Sequence, residues 1–176
     1  MDNLESNYLQ DEKPSEFTYD IDHIWPENSD PSEIFIGLTK QLQRFYAIHK
    51  GVLIIHKDKN TRFTATATFN NGKTRRNLSI KLPGKSSLFQ IVAENGQLYT
   101  ENFSDLFSGN SFERNLLLEA DSQSFLIQPL KHDSDIVGLI GYSSSDPLAF
   151  ATFEDKVLVK TARQFAERIE KSLVQQ

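Results

Sequence analysis

At 176 residues with 38% hydrophobic side chains and 13 phenylalanines, the chain is long enough for one proper core, and no run of apolar residues approaches a membrane span. It has no cysteine, which excludes disulfides, thiolate metal sites and cysteine nucleophiles and fits a cytoplasmic protein. The net charge of -5 is uneven: residues 1–33 hold ten of the 24 acids and one base, Lys13, leaving 14 acids against 18 bases in residues 34–176.

Residues 1–30 therefore read as an acidic extension, with no apolar run of the kind a secretory signal needs. Such blocks are commonly solvated tails. Phe17, Tyr19, Ile21, Ile24 and the single Trp25 allow a second reading, an extended strap laid over an apolar surface, kept non-helical by Pro26 and Pro31. Residues 31–176 form the body. Asp30, Pro31 and Glu33 mark a helix start, and Phe35, Leu38, Leu42, Phe45 and His49 continue one helical face, ending near Lys50-Gly51.

The apolar residues 52–55 suit a buried central strand, followed by a strand over 62–69. Asn70, Asn71 and Gly72 give a tight-hairpin signal into a third strand over 74–82, with Leu78, Ile80 and Leu82 on one face. Ser86 is placed to cap a short helix carrying Leu88, Ile91 and Val92, ended by Asn95-Gly96. A brief strand over 98–100, an irregular segment over 102–121 and paired strands over 124–130 and 136–142 follow. A last helix, capped by Thr152, carries Leu158, Ala162, Phe165, Ile169 and Leu173 as its apolar stripe. Short connections favour antiparallel pairing, so the fold class is α+β, one sheet with helices packed on it.

In this order and spacing the elements resemble the GAF family of regulatory domains over residues 32–173. The resemblance is carried by the leading helix into strand 52–55, the helix over 87–96 and its brief strand, and strands 127–130 and 136–140. Phe150 four residues before Glu154 and the closing helix with Gln164, Phe165 and Ala166 complete it. The resemblance implies a single antiparallel sheet of about six strands, related to the PAS fold. N- and C-terminal helices pack on one face, and short helices and loops cover the other. It also implies a sensory domain that binds a small molecule and signals through its terminal helices in a homodimer. Those helices span residues 32–48 and 153–174, with Leu38, Leu42, Phe45, Phe165 and Ile169 as the dimer and signalling residues. The helix still running at Val174 suggests a covalently linked output domain beyond this chain. A ligand-free homodimerisation scaffold is the alternative.

Departures from the family narrow the ligand. Its cyclic-nucleotide binders carry an Asn-Lys, Phe, Asp-Glu signature, where this chain has Ser143-Ser144, Phe150 and Glu154-Asp155. Cyclic nucleotide is therefore doubtful, and the lack of Cys argues against a covalent bilin or the family's methionine sulfoxide reductase chemistry. No cofactor is expected, nor any catalytic residue or enzyme activity.

The segment over 102–121 is the first choice for a pocket wall: Phe103, Phe107 and Phe112 as apolar surface, with Ser104, Asp105, Asn110 and Arg114 as polar groups. The competing reading is that these aromatics fill the core beneath a long loop. From the sheet, a cavity can be lined by Phe63, Ala65, Ala67 and Phe69, or by Thr64, Thr66 and Thr68.

The remaining motifs have structural explanations. Lys73, Arg75, Arg76, Lys81 and Lys85 suit protection of an edge strand better than a nucleic-acid surface. The four His residues lack ligand spacing, although a fold can bring His49 and His56 together. Residues 143–147 lack the context of a nucleophile elbow. Asp133, Asp135, Glu154 and Asp155 fit turns and a helix start. Neither nucleic acid nor membrane is an expected partner.

Overall fold

The structure, a computed structural model, describes residues 17–57 and 63–174. At its centre lies β1 (Lys50–Ile55), buried along its whole length as its apolar run requires. Strand β1 pairs antiparallel with β2 (Thr64–Asn70) on one side and β7 (Asp135–Ser144) on the other. Beyond β2 come β3 (Lys73–Arg75) and β4 (Ile80–Lys81); beyond β7 come β6 (Ser124–His132) and β5 (Tyr99–Glu101). The order β3-β2-β1-β7-β6-β5, with β4 also on β2, makes a seven-stranded antiparallel sheet, one strand more than expected.

The extra strand comes from a break in the expected third one. Asn77 adopts a left-handed φ of 54°, so β3 and β4 pair with β2 as two separate pieces. Leu78, Ile80 and Leu82 do not share a burial pattern: Ile80 is exposed and Leu82 buried. Lys73, Arg75 and Lys81 are exposed on these edge pieces, and Arg76 pairs with Glu33 at 2.8 Å.

A bulge corrects a second expectation. Leu53 pairs with Ala67 and Ile54 with Ala65, so Thr66 is an extra residue that shifts the alternation by one. Phe63 and Ala65 consequently face one side of the sheet, while Ala67 and Phe69 face the other.

The face of Ala67 and Phe69, the first face, carries the terminal helices, α2 (Pro31–Leu42) and α5 (Asp155–Val174), packed on Leu53, Ile55, Leu126, Leu130 and Ile140. Asp30 caps α2 through the Ser32 amide at 2.8 Å, as its sequence predicts. Helix α2 stops at Leu42, however, and not near Lys50-Gly51, which are the first residues of β1. The Gln43 side chain donates to Ile48 O at 2.9 Å and holds the intervening turn, while Tyr46 and Ile48 turn into the core. Gly51 makes room for the Tyr142 ring, since a Cβ there would stand 2.7 Å from two ring carbons. Helix α5 starts at Asp155, three residues past the expected cap Thr152, and its stripe of Leu158, Ala162, Phe165 and Ile169 is buried.

Tyr142 joins α2 to the sheet. Its ring stacks on Phe35 at 5.9 Å, and its hydroxyl lies 2.8 Å from Thr39 Oγ1. Thr39 spends its own proton on Phe35 O at 2.7 Å, so the phenol is the donor. Burial pushes the Tyr142 phenol well above its ordinary value. In the unfolded chain a phenol ionises near about pH 10, so the stabilisation is complete below that pH and is lost as pH rises towards the raised folded value. Between pH ~8 and ~10.5 the native protein should lose more stability than Tyr142→Phe does, read from urea midpoints at the two pH values. Equal losses would remove Tyr142 from the linkage.

Residues 17–29 lie across the same layer. A short helix, α1 (Ile21–Ile24), buries Ile21, and Phe17 and Tyr19 are buried with it. Helix α5 grips the backbone of this segment: Gln164 Oε1 accepts from Ile21 N at 2.9 Å, and Thr161 Oγ1 donates to Tyr19 O at 2.8 Å. Arg168 donates to Pro26 O at 2.7 Å and Trp25 O at 2.9 Å. The Trp25 ring rests over Gly37 of α2 and donates to the Tyr19 hydroxyl at 2.9 Å.

The opposite face is covered by α3 (Leu88–Asn95), a 3-10 turn (Ser104–Leu106) and α4 (Ser111–Leu117). The N-cap of α3 is Ser87, not Ser86, which sits in a left-handed turn at φ 56°. Gly96 ends α3 in the left-handed conformation its sequence predicts.

Candidate functional site

The cover over the second face is fastened by one carboxylate. Glu113 is fully buried on α4; its Oε1 accepts from Leu88 N at 2.9 Å and Asn110 N at 3.2 Å. Its Oε2 accepts from Phe89 N at 3.2 Å and from the Ser87 hydroxyl. The side chain thus closes the capping box of α4 and also satisfies the free amides at the start of α3. A helix N-terminus attracts negative charge, and here the chain supplies that charge itself. Beneath the clip, Phe63, Leu82, Leu88, Phe89, Leu117 and Phe125 pack into a buried cluster.

The structure divides the expected wall residues between this packed cluster and the surface. Phe63 lies in that cluster with the His56 ring 4.9 Å away. Phe107 packs edge-on against Phe125 at 5.6 Å, with the Arg114 guanidinium 5.9 Å from its ring centre. These two are brought together. Ser104 is buried and spends its hydroxyl on Ser122 O at 2.5 Å. Asp105 is exposed, and Phe103 and Phe112 are 65% and 56% exposed, directed away from the packed cluster. The physical reason is the capping box: it turns Glu113 inward and leaves its neighbours Phe112 and Arg114 outward.

The signalling set is also placed differently. Leu38, Leu42, Phe165 and Ile169 are buried against the sheet inside one chain, and Phe45 is exposed but stands beyond the end of α2. Along α5 it is Lys156, Val159, Lys160 and Arg163 that face solvent.

His49 and His56 flank β1 at opposite ends, about 23 Å apart along an extended strand. His49 Nε2 lies 3.0 Å from Ser122 Oγ, a nucleophile–base type of pair. Ser122 Oγ is occupied, however: it accepts from Glu119 N at 2.8 Å and sits in a buried residue. Lys50 Nζ donates to Glu119 Oε1 at 2.6 Å, and this bond, the largest cause, holds the Glu119 carboxyl below its ordinary value. The network ties β1 to the loop after α4 and leaves no open nucleophile. Among the described residues no group of three or more His, Asp or Glu is arranged to hold a metal ion, and no helix is long and apolar enough to cross a membrane.

A groove of about 330 Å³ opens on the first face, between α5 and the β6–β7 hairpin. Gly96, Gln128, Pro129, Lys131, His132 and Asp133 form one side, and Asp155, Val159, Ala162, Arg163 and Glu167 the other. The sequence reading passed over both Glu113 and Gln128. The first was detectable as Asn110-x-x-Glu113, the spacing of a capping box. The second was a polar residue in the register of Leu126 and Leu130 within an apolar run.

No protein-family model matches the chain, and no curated protein matches it in sequence. Solved structures do. The GAF domain of a two-component sensor histidine kinase from Bacillus halodurans aligns with a TM-score of 0.61 and 17% identity, covering 82% of this chain and 97% of that one. The GAF domain of an Acinetobacter phosphoenolpyruvate-protein phosphotransferase aligns at 0.60 and 14%, covering 78% and 80%. A type II free methionine-R-sulfoxide reductase from Thermoplasma acidophilum aligns at 0.55 and 15%, covering 81% and 96%. The fold is thus shared by regulatory domains and by reductases. The seven-stranded sheet, the paired terminal helices and the two-helix cover give this chain the GAF fold.

Proposed function

We propose that the chain is a non-catalytic, cytoplasmic regulatory domain that binds a small molecule and passes the bound state to its surroundings through α5, working as a dimer within a larger signalling protein. The observation that carries this reading is the groove under α5. A ligand there touches the long terminal helix and the sheet at once, so occupancy changes how firmly α5 is held. With Leu38, Leu42, Phe165 and Ile169 buried, a dimer partner would meet the outer side of α5 around Lys156 and Lys160, outside the groove.

Mass spectrometry of the natively purified protein, with a thermal-shift screen of common metabolites, tests the reading. A co-purifying molecule, or a metabolite that raises the melting temperature, is the expected result. Neither, together with a stable dimer in light scattering, would replace it with the scaffold reading. That reading is favoured by the filled face beneath α3 and α4.

A further inference from the structure

Gln128 interrupts the face of β6 that Leu126 and Leu130 present to α5. It is 5% exposed; its amide nitrogen donates to Pro129 O at 3.1 Å and, more weakly, to Asp155 Oδ1 at 3.4 Å. Its Oε1 is buried and has no hydrogen-bond partner. An unpaired buried amide oxygen destabilises a fold, whereas leucine at this position would not carry that cost, so packing alone gives no reason for glutamine here.

The same residue lines the groove of about 330 Å³, a volume that suits a small metabolite. Across from it, Asp155, Val159, Ala162, Arg163 and Glu167 follow helical spacing along one side of α5. The charges in the groove are of both signs. Among the described residues neither the Arg163 nor the Lys131 side chain has an ion-pair or hydrogen-bond partner, and both line the groove.

We propose that the ligand of this groove is a zwitterion of amino-acid to dipeptide size. The proposal rests on the sensor reading above and names the chemistry of its site. The ligand nitrogen sits against the Asp155 carboxylate, and a turn of the Gln128 amide brings its unpaired Oε1 round to accept from it, while the ligand carboxylate meets Arg163, with Lys131 adding positive charge. Val159 and Ala162 supply an apolar wall for the carbon chain. A dicarboxylate would set negative charge against Asp155, and a diamine would set positive charge against Arg163, so both should be refused. The site lies on the face opposite the Glu113 clip, and its filling braces α5 against β6.

The test is a thermal-shift panel on the full chain with the free amino acids, β-alanine and glycylglycine, and with succinate and putrescine as controls, followed by calorimetry of any zwitterion that scores. The expected result is a raised melting temperature with one or more zwitterions and neither control. Gln128→Leu and Arg163→Ala should each weaken that binding by about tenfold or more. Unliganded Gln128→Leu should melt no lower than the native chain. Should it fail to fold, the exposed Arg163→Ala carries the test alone. Equal shifts with succinate or putrescine, or binding untouched by the variants, would overturn the proposal. A different metabolite bound equally well by both variants would leave the sensor reading standing and remove this site from it. No shift with any compound, and no co-purifying molecule, would remove both.

Discussion

Replacing Glu113 with alanine should destabilise the protein by about 3–5 kcal/mol, since each buried neutral donor left without an acceptor costs about 1–3 kcal/mol and the group relaxes in part. The carboxylate is the common acceptor for Leu88 N, Phe89 N, Asn110 N and the Ser87 hydroxyl, and alanine leaves those donors buried without a partner. Two helices lose a cap together, because the one side chain serves the starts of both α3 and α4. For a domain of this size the melting temperature should fall by roughly 2–4 °C per kcal/mol, about 10 °C in all. Glu113→Gln separates charge from shape: it keeps two acceptor sites but turns an NH2 group towards at least one donor. It should therefore fall between the native chain and alanine. A melting temperature within about 2 °C of the native value for Glu113→Ala would show that the cover is held by apolar packing instead.

Removal of residues 1–29 should have a comparable or larger effect. Phe17, Tyr19 and Ile21 are buried on the α2–α5 layer, and each contributes about 1.5–3 kcal/mol on burial. The sum is an upper bound because the unfolded chain already hides some apolar surface, yet it rivals the total stability of a typical domain, about 5–15 kcal/mol. The truncated chain should lose a cooperative melt or accumulate as insoluble protein. Ile21→Ala in the full chain is the gentler version, expected to cost about 2–5 kcal/mol in urea denaturation. An unchanged melting curve after truncation would mean that the segment rests on the body without supporting it.

What the sequence made legible follows from which interactions are local. The start of α2 is written in Asp30, Pro31 and Glu33, and the end of α3 in Asn95-Gly96, because caps act over three or four residues. The end of α2 was not legible. It depends on Gly51 meeting Tyr142 across β1 and β7, positions 91 residues apart in the chain, and the stripe through Phe45 and His49 imitates a continuing helix. The bulge at Thr66 escaped for the same reason: nothing in an alternating run of Thr and Ala announces one extra residue, which is defined only by the pairing of β1. The aromatic-rich segment over 102–121 drew attention through Phe103 and Phe112, whereas the group that organises it is the carboxylate of Glu113 beside them. The groove under α5 involves Gly96, Gln128 and Arg163, which no local pattern connects.

The grip of α5 on residues 17–29 falls partly on side chains, those of Asp20, Asp22 and Glu27, and partly on main-chain atoms: Thr161, Gln164 and Arg168 hold the carbonyls of Tyr19, Trp25 and Pro26 and the amide of Ile21. Main-chain atoms are the same whatever residue carries them. Substitutions at Thr18, His23 and Ile24, whose side chains are exposed, leave those bonds intact. Over evolutionary time the segment can therefore drift at these three positions while the helix side chains that hold its backbone, and the buried Phe17, Tyr19 and Ile21, stay fixed.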